Sequence, residues 1–229
     1  MGTHVITGAG SGIGAAVAAK LTERGEELWL VARDARRAAE LRERFPAAQT
    51  LVGDLAQPER LSWALGHQAQ PDRIDSLLHI AGMVELGAVG DMGVKVWQDT
   101  MAVNLLAPAE LTRLFLPTVR MSRGHVVFVN SGAGLRASAE WGVYAASKFG
   151  LKALADSLRE EEHGNGVRVT TVYPGRTATP MQVKVHAQEG RAYEADAWIA
   201  PESVATAVLT AIDLPRDAEI TDVTVRPGR

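Results

Sequence analysis

Two periods of apolar and polar positions alternate along the chain. Short apolar, often β-branched runs recur at HVIT (4–7), ELWLVA (27–32), QTLVGD (49–54), DSLLHIAG (75–82), HVVFVNS (125–131), VRVTTVYPG (167–175) and DVTVR (222–226). Between them lie amphipathic stretches of helical period. These are GIGAAVAAKLTERG (12–25), RRAAELRERF (36–45), PERLSWALGHQ (58–68), VKVWQDTMAVNLLAPAELTRLFLPTV (94–119), a run from about 142 to 163, and a pattern near 201–213. Nearly continuous apolar strands are buried on both faces, and their alternation with helices means parallel pairing through crossovers. The pattern therefore predicts an α/β chain with seven strands and about six major helices. The expected fold is a doubly wound Rossmann fold whose mainly parallel sheet carries helices on both faces. No linker, low-complexity tract or fixed-period repeat interrupts the pattern, so one domain is expected over residues 1–229.

Composition narrows the chemistry. Hydrophobic residues make up 46% and charged residues 22%, enough apolar material for a substantial core. A net charge of -3 supplies no basic field for nucleic acid. The absence of cysteine excludes disulfides, thiolate catalysis and cysteine-bound metals. The six histidines (4, 67, 79, 125, 163, 186) are scattered without the spacing of metal ligands. No segment reaches the ~18 apolar residues of a membrane span, and MGTHVITGAGSG lacks the basic and apolar regions of a signal peptide. A cytoplasmic protein without membrane or nucleic-acid partners is the expectation.

The first strand-to-helix junction reads TGAGSGIG (7–14), with glycines at 8, 10, 12 and 14. Gly8, Gly12 and Gly14 form a GxxxGxG pattern. Such a loop allows positive φ and lets backbone approach a pyrophosphate at a helix N-terminus, which makes this a candidate dinucleotide site. Strand two ends LVARD (30–34). Arg33 is a forked donor suited to a 2′-phosphate, and this favours NADP(H). Asp34 is the alternative, as a ribose 2′-hydroxyl ligand that would favour NAD(H).

In VYAASKFGLKALADSL (143–158), Tyr144 and Lys148 stand four apart and so share a helix face. A tyrosine pKa near 10 is too high for acid–base work at neutral pH. Lowering it to about 7 means favouring the phenolate by roughly 4 kcal/mol. A neighbouring ammonium in a partly dry site can supply much of that. Ser131 ends strand five, and Asn104 is a polar residue within an apolar helical run, where it could distort the helix or hold a water.

Together these pieces resemble a core-type short-chain dehydrogenase/reductase. The matching segments are TGAGSGIG, GDL (53–55), HIAG (79–82), Asn104, Ser131, YAASK (144–148) and YPGRTAT (173–179), in order over nearly the whole chain. The resemblance implies that Tyr144 is the acid–base residue and that Ser131 hydrogen-bonds the substrate oxygen. It implies that Lys148 lowers the tyrosine pKa and binds the nicotinamide ribose, and that Asn104 helps hold a water in a proton relay. It places the cofactor against Gly8, Ser11, Gly12, Ile13 and Gly14, with Arg33 at its 2′-phosphate and Asp54 and Leu55 at the adenine. Ala81, Gly82, Tyr144, Lys148, Pro174, Gly175, Thr177 and Thr179 would line the rest. The implied activity is NADP(H)-dependent hydride transfer between nicotinamide and a small carbonyl or alcohol, with carbonyl reduction favoured. The alternatives are an NAD-dependent alcohol dehydrogenase and a non-catalytic NADP-sensing binding protein. The resemblance also implies a homo-oligomer, dimer or tetramer, through the helices at 94–119 and 142–163.

Three departures accompany it. HIAG stands where NNAG is commoner, so His79 reads as structural. Ser11 occupies a place where many NADP-dependent members carry a second basic residue. The lid, about 177–200, is short and suggests an open or shallow pocket. Trp141, Trp198, Met83, Val84 and Leu86 are candidate pocket walls, and Arg136, Glu140 and Arg176 are candidate selectors of a charged substrate.

Overall fold

A computed structural model describes residues 1–228. Seven strands form one sheet: β1 (Thr3–Thr7), β2 (Glu27–Ala32), β3 (Gln49–Val52), β4 (Ser76–His79), β5 (His125–Val129), β6 (Arg168–Pro174) and β7 (Asp222–Val225). Their spatial order is β3-β2-β1-β4-β5-β6-β7. Every neighbouring pair is parallel, so the sheet is wholly rather than mainly parallel.

Side chains alternate between the two faces with the period of a strand. Ile6, Leu30, Leu78, Val127 and Val172 point to one face. There they pack with α1 (Gly12–Glu23), α2 (Ala35–Arg44) and α8 (Pro201–Asp213) through Val17, Leu41 and Val208. Val5, Val31, Leu77, Phe128 and Val169 point to the other. They meet α3 (Leu61–Gly66), α5 (Ala107–Met121) and α6 (Gly142–Glu162) through Leu65, Phe115 and Leu151. Burying such a side chain contributes about 1.5–3 kcal/mol, so the double-sided core holds the strand ends rigidly in place.

The helical run predicted over 94–119 is interrupted. It comprises α4 (Val94–Met101), a π-helical segment at Ala102–Leu106, and α5. Asn104 lies in the widened turn, at the position where its polarity suggested distortion. A further helix, α7 (Pro180–Gln188), lies in a stretch that the apolar pattern left as loop. Thr179 caps it, accepting a hydrogen bond from Gln182 N, and Pro180 occupies the first turn. Among the described residues no helix is long and apolar enough to cross a membrane.

Strand order reverses between β1 and β4, which opens a crevice at their carboxyl ends. Thr7 ties the two sides together: its hydroxyl accepts hydrogen bonds from Ile80 N (3.0 Å) and Ala81 N (3.1 Å).

Candidate active site

A cleft of about 850 Å³ occupies that crevice. At one end is the glycine loop. Gly8 (φ 79°) and Gly12 (φ 51°) adopt left-handed backbone that side chains disfavour. A Cβ on Gly8 would stand 2.8 Å from Ala81 N, one on Gly12 would stand 2.8 Å from Thr179 Cγ2, and one on Gly14 would stand 2.2 Å from Gly8 O. The loop is thus a cradle with no room for side chains, and α1 begins directly against it. The Ser11 hydroxyl caps no backbone amide of α1, so both it and the first-turn amides can serve an anion. These features fit a pyrophosphate.

At the other end are the polar side chains. Asn130 is buried and acts as a brace: its Oδ1 accepts from Ser131 N (2.8 Å) and its Nδ2 donates to Lys148 O (3.0 Å). It thereby locks the end of β5 to α6. The Ser131 hydroxyl accepts from Ala133 N (3.1 Å), which begins the turn that carries the loop toward Tyr144. Lys148 is buried, and its ammonium donates to Val129 O (3.0 Å) while lying 5.8 Å from the centre of the Tyr144 ring. The ring of Trp141 meets that of Tyr144 edge-on at 5.8 Å.

Asn104 is fully buried, and its amide is already committed. Its Oδ1 accepts from Met83 N (2.8 Å), and its Nδ2 donates to Met83 O (2.9 Å) and to Ser147 Oγ (3.0 Å). The Ser147 hydroxyl in turn donates to Tyr144 O (2.7 Å). The Asn104 side chain therefore links the strand-four loop to the turn that holds Tyr144.

Burial makes the Tyr144 phenol hold its proton more tightly than an ordinary tyrosine, and a hydrogen bond with Ser131 opposes this in part. Burial also lowers the Lys148 pKa to about 8. The lowering of the tyrosine by Lys148, implied by the family resemblance, is thus not supplied by protein groups alone. The ammonium is aimed at a carbonyl, and desolvation of the phenolate dominates.

Of the expected residues, Gly8, Ser11, Gly12, Ile13, Gly14, Ala81, Gly82, Ser131, Tyr144, Lys148, Pro174, Gly175, Thr177 and Thr179 all line the cleft. Asn104, Arg33, Asp54 and Leu55 do not. Asn104 stands behind the wall, and a Cβ on Gly82 would come within 3.3 Å of its Oδ1. Arg33 lies just past the end of β2, largely exposed, with its Nε donating to Asp34 Oδ2 (3.0 Å). Asp34 caps α2, accepting from Arg37 N (2.7 Å), and that bond is the main reason its carboxyl sits below the usual range. Both its oxygens are engaged. Asp54 accepts from Ala56 N and Gln57 Nε2, each at 3.0 Å, and so shapes the turn after β3. His79 is buried and stacks on Phe128, with its Nε2 2.9 Å from the Thr112 hydroxyl. Burial drops its pKa to about 3. This is a structural histidine.

Sequence reasoning missed Asn130, Thr7 and Ser147. Asn130 did carry a signal, as a second polar residue closing the apolar run HVVFV.

Residues 3–190 match the short chain dehydrogenase family. An uncharacterized oxidoreductase of Staphylococcus saprophyticus is 28% identical over 97% of this chain and 96% of its own length. A short-chain dehydrogenase from Sphingobium yanoikuyae in complex with NADPH superposes with a TM-score of 0.81 at 28% identity, covering 97% of this chain and 87% of that one. A serine dehydrogenase complexed with NADP+ shares the fold with a TM-score of 0.87 at 23% identity, over 98% and 94% of the two chains. With the glycine cradle and the Ser131–Tyr144–Lys148 cluster on one cleft, the chain belongs to the short-chain dehydrogenase family of oxidoreductases.

Proposed function

We propose that this oxidoreductase uses NADP(H) to reduce a small carbonyl substrate to an alcohol. The observation that carries the reading is the convergence, in one cleft, of a backbone cradle for a pyrophosphate with Ser131, Tyr144 and Lys148. The bound cofactor would supply hydride to the carbonyl carbon. The Tyr144 phenol gives its proton to the carbonyl oxygen, and the Ser131 hydroxyl holds that oxygen in place. Burial keeps the Tyr144 phenol in its protonated form, the form that donates to a carbonyl oxygen, and the lowering of its pKa that the step needs would come in part from the charge of the bound cofactor. Lys148, fixed by Val129 O, would bind the ribose of the cofactor. Asn104, through Ser147, holds the Tyr144 turn in position.

NADP(H) is favoured over NAD(H) because Arg33, bonded to Asp34 through its Nε alone, is largely exposed, while both oxygens of Asp34 are engaged by Arg33 and the helix cap. The NADPH complex of the Sphingobium relative supports the same choice. The residues about 177–200 act as the lid of a domain spanning the chain. The lid is tied at its base by the parallel pairing of Thr177 with Ile199 and by Ala178 N donating to Ile199 O (2.8 Å).

The test is oxidation of NADPH and of NADH, side by side, against small aldehydes, diketones, quinones and cyclic ketones. Turnover with NADPH and little with NADH is expected. Saturable NADPH binding with no turnover on any carbonyl would instead favour a nucleotide-sensing role.

A further inference from the structure

The cleft is cationic although the chain is acidic overall. Arg136, Lys148, Arg176, Lys184 and Arg226 line it, and no aspartate or glutamate does so among the described residues. Three of the five are already committed. Lys148 is bonded to Val129 O. Arg176 is held by Glu189 through two bonds of 2.8 and 2.6 Å, with its guanidinium 6.0 Å from the Trp141 ring and 5.4 Å from the Trp198 ring. Lys184 is paired with Glu85. The side chains of Arg136 and Arg226 have no hydrogen-bond or ion-pair partner among the described residues.

These two free guanidinium groups lie on different sides. Arg226 follows β7, whose Val225 O accepts from Gly175 N (2.7 Å), so it belongs to the Gly175 side. Arg136 stands on the Ser131 side. Its backbone N–H donates to Gly132 O (3.1 Å), one turn beyond Ser131, and the far end of its loop is anchored by Gly87 N donating to Glu140 O (2.8 Å). In the cleft that Arg136 lines, Val84, Ala133, Trp141, Met181 and Val185 form an apolar wall around the Tyr144 ring. A ligand there meets an apolar wall, a proton donor and one unpaired forked cation.

Building on the carbonyl-reductase reading, we infer that the substrate is an oxo acid, or its hydroxy acid in reverse, whose carboxylate is gripped by Arg136. One guanidinium balances one carboxylate in bidentate geometry. A phosphate monoester carries nearly twice that charge, and the neighbouring Arg176 and Lys184 are already neutralised by Glu189 and Glu85.

The test uses 3-hydroxybutyrate and 4-hydroxypentanoate, each beside its methyl ester, titrated into the protein saturated with NADP+ and followed by tryptophan fluorescence. Hydroxyacetone phosphate is the second anion. The better hydroxy acid is expected to bind at least about tenfold tighter than its ester, the lower bound set by a single charge-assisted hydrogen bond. That preference shrinks as salt rises. Arg136→Ala abolishes it without changing NADP+ affinity, and Arg136→Lys keeps part of it. Equal binding of acid and ester, binding of neither, a preference that survives Arg136→Ala, or a stronger preference for the phosphate would overturn the assignment. Turnover of the corresponding oxo acids and esters separates the two levels. Turnover without acid preference leaves the reductase reading and removes the carboxylate site. Acid-selective binding without turnover does the reverse.

Discussion

Asn130 is a brace whose removal has a calculable consequence. Its side chain accepts from the half-buried Ser131 N–H at 2.8 Å and donates to the buried Lys148 C=O, a carbonyl of α6, at 3.0 Å. Asn130→Ala leaves the Ser131 N–H without its partner and strips the Lys148 C=O of its second bond, the helical bond of α6 remaining. One such unsatisfied group costs about 1–3 kcal/mol, and the variant should lose about that much. Against the 5–15 kcal/mol typical of a folded domain, this is a large fraction. A Cβ on Gly134 would lie 2.3 Å from Asn130 Oδ1, so the turn after Ser131 is pressed against this side chain and would settle differently without it. Urea unfolding of wild type and Asn130→Ala reads the stability. Steady-state kinetics on the refolded variant should show kcat falling by more than tenfold with the cofactor Kd nearly unchanged. A stability loss below about 0.5 kcal/mol, within the range of an ordinary surface change, together with unchanged kcat, would refute the brace.

Other outcomes follow from the same geometry. Gly14→Ala places a Cβ 2.2 Å from a backbone oxygen that cannot swing away, so NADPH affinity should fall at least about tenfold by fluorescence titration; unchanged affinity would show that the cradle tolerates a side chain. Arg33→Ala should weaken NADPH binding and leave NADH binding alone, as read by paired titrations. Burial holds the pKa of His79 and of His125 at about 3, whereas unfolded histidine titrates near 6.5. Their contribution to stability is therefore complete above pH 6.5 and is lost as pH falls toward 3. Between pH 7 and pH 5 that loss is about 2 kcal/mol per histidine in urea titrations, and flat stability over that interval would contradict it.

Much of this architecture was legible because the two hydrophobic periods are clean. The run ELWLVA coincides with β2 from end to end, and all seven apolar runs became strands. The split of the 94–119 helix was signalled by one polar residue, Asn104, in an apolar run. Helix α7 escaped because MQVKVHAQ alternates like a strand, although the Thr179 cap and Pro180 were start signals in plain view. The cleft residues were readable as motifs because glycine and the Tyr–Lys spacing have local physical reasons. What the motifs could not carry is tertiary. Whether Asn104 faces a water or the Met83 backbone, and whether Asp34 is free or capping a helix, depends on neighbours distant in sequence or on backbone geometry. The direction of the Tyr144 pKa depends on burial, which no spacing reveals.

The central claim is that Tyr144 moves the proton while the cofactor is held mainly by other groups. The most direct measurement compares wild type and Tyr144→Phe for NADPH binding by fluorescence and for single-turnover NADPH oxidation with the best carbonyl found. The account predicts a Kd within a few-fold of wild type and a hydride-transfer rate reduced by a factor of 10² or more, the scale of lost general acid catalysis. A variant that binds NADPH and oxidises it at the wild-type rate would contradict the account.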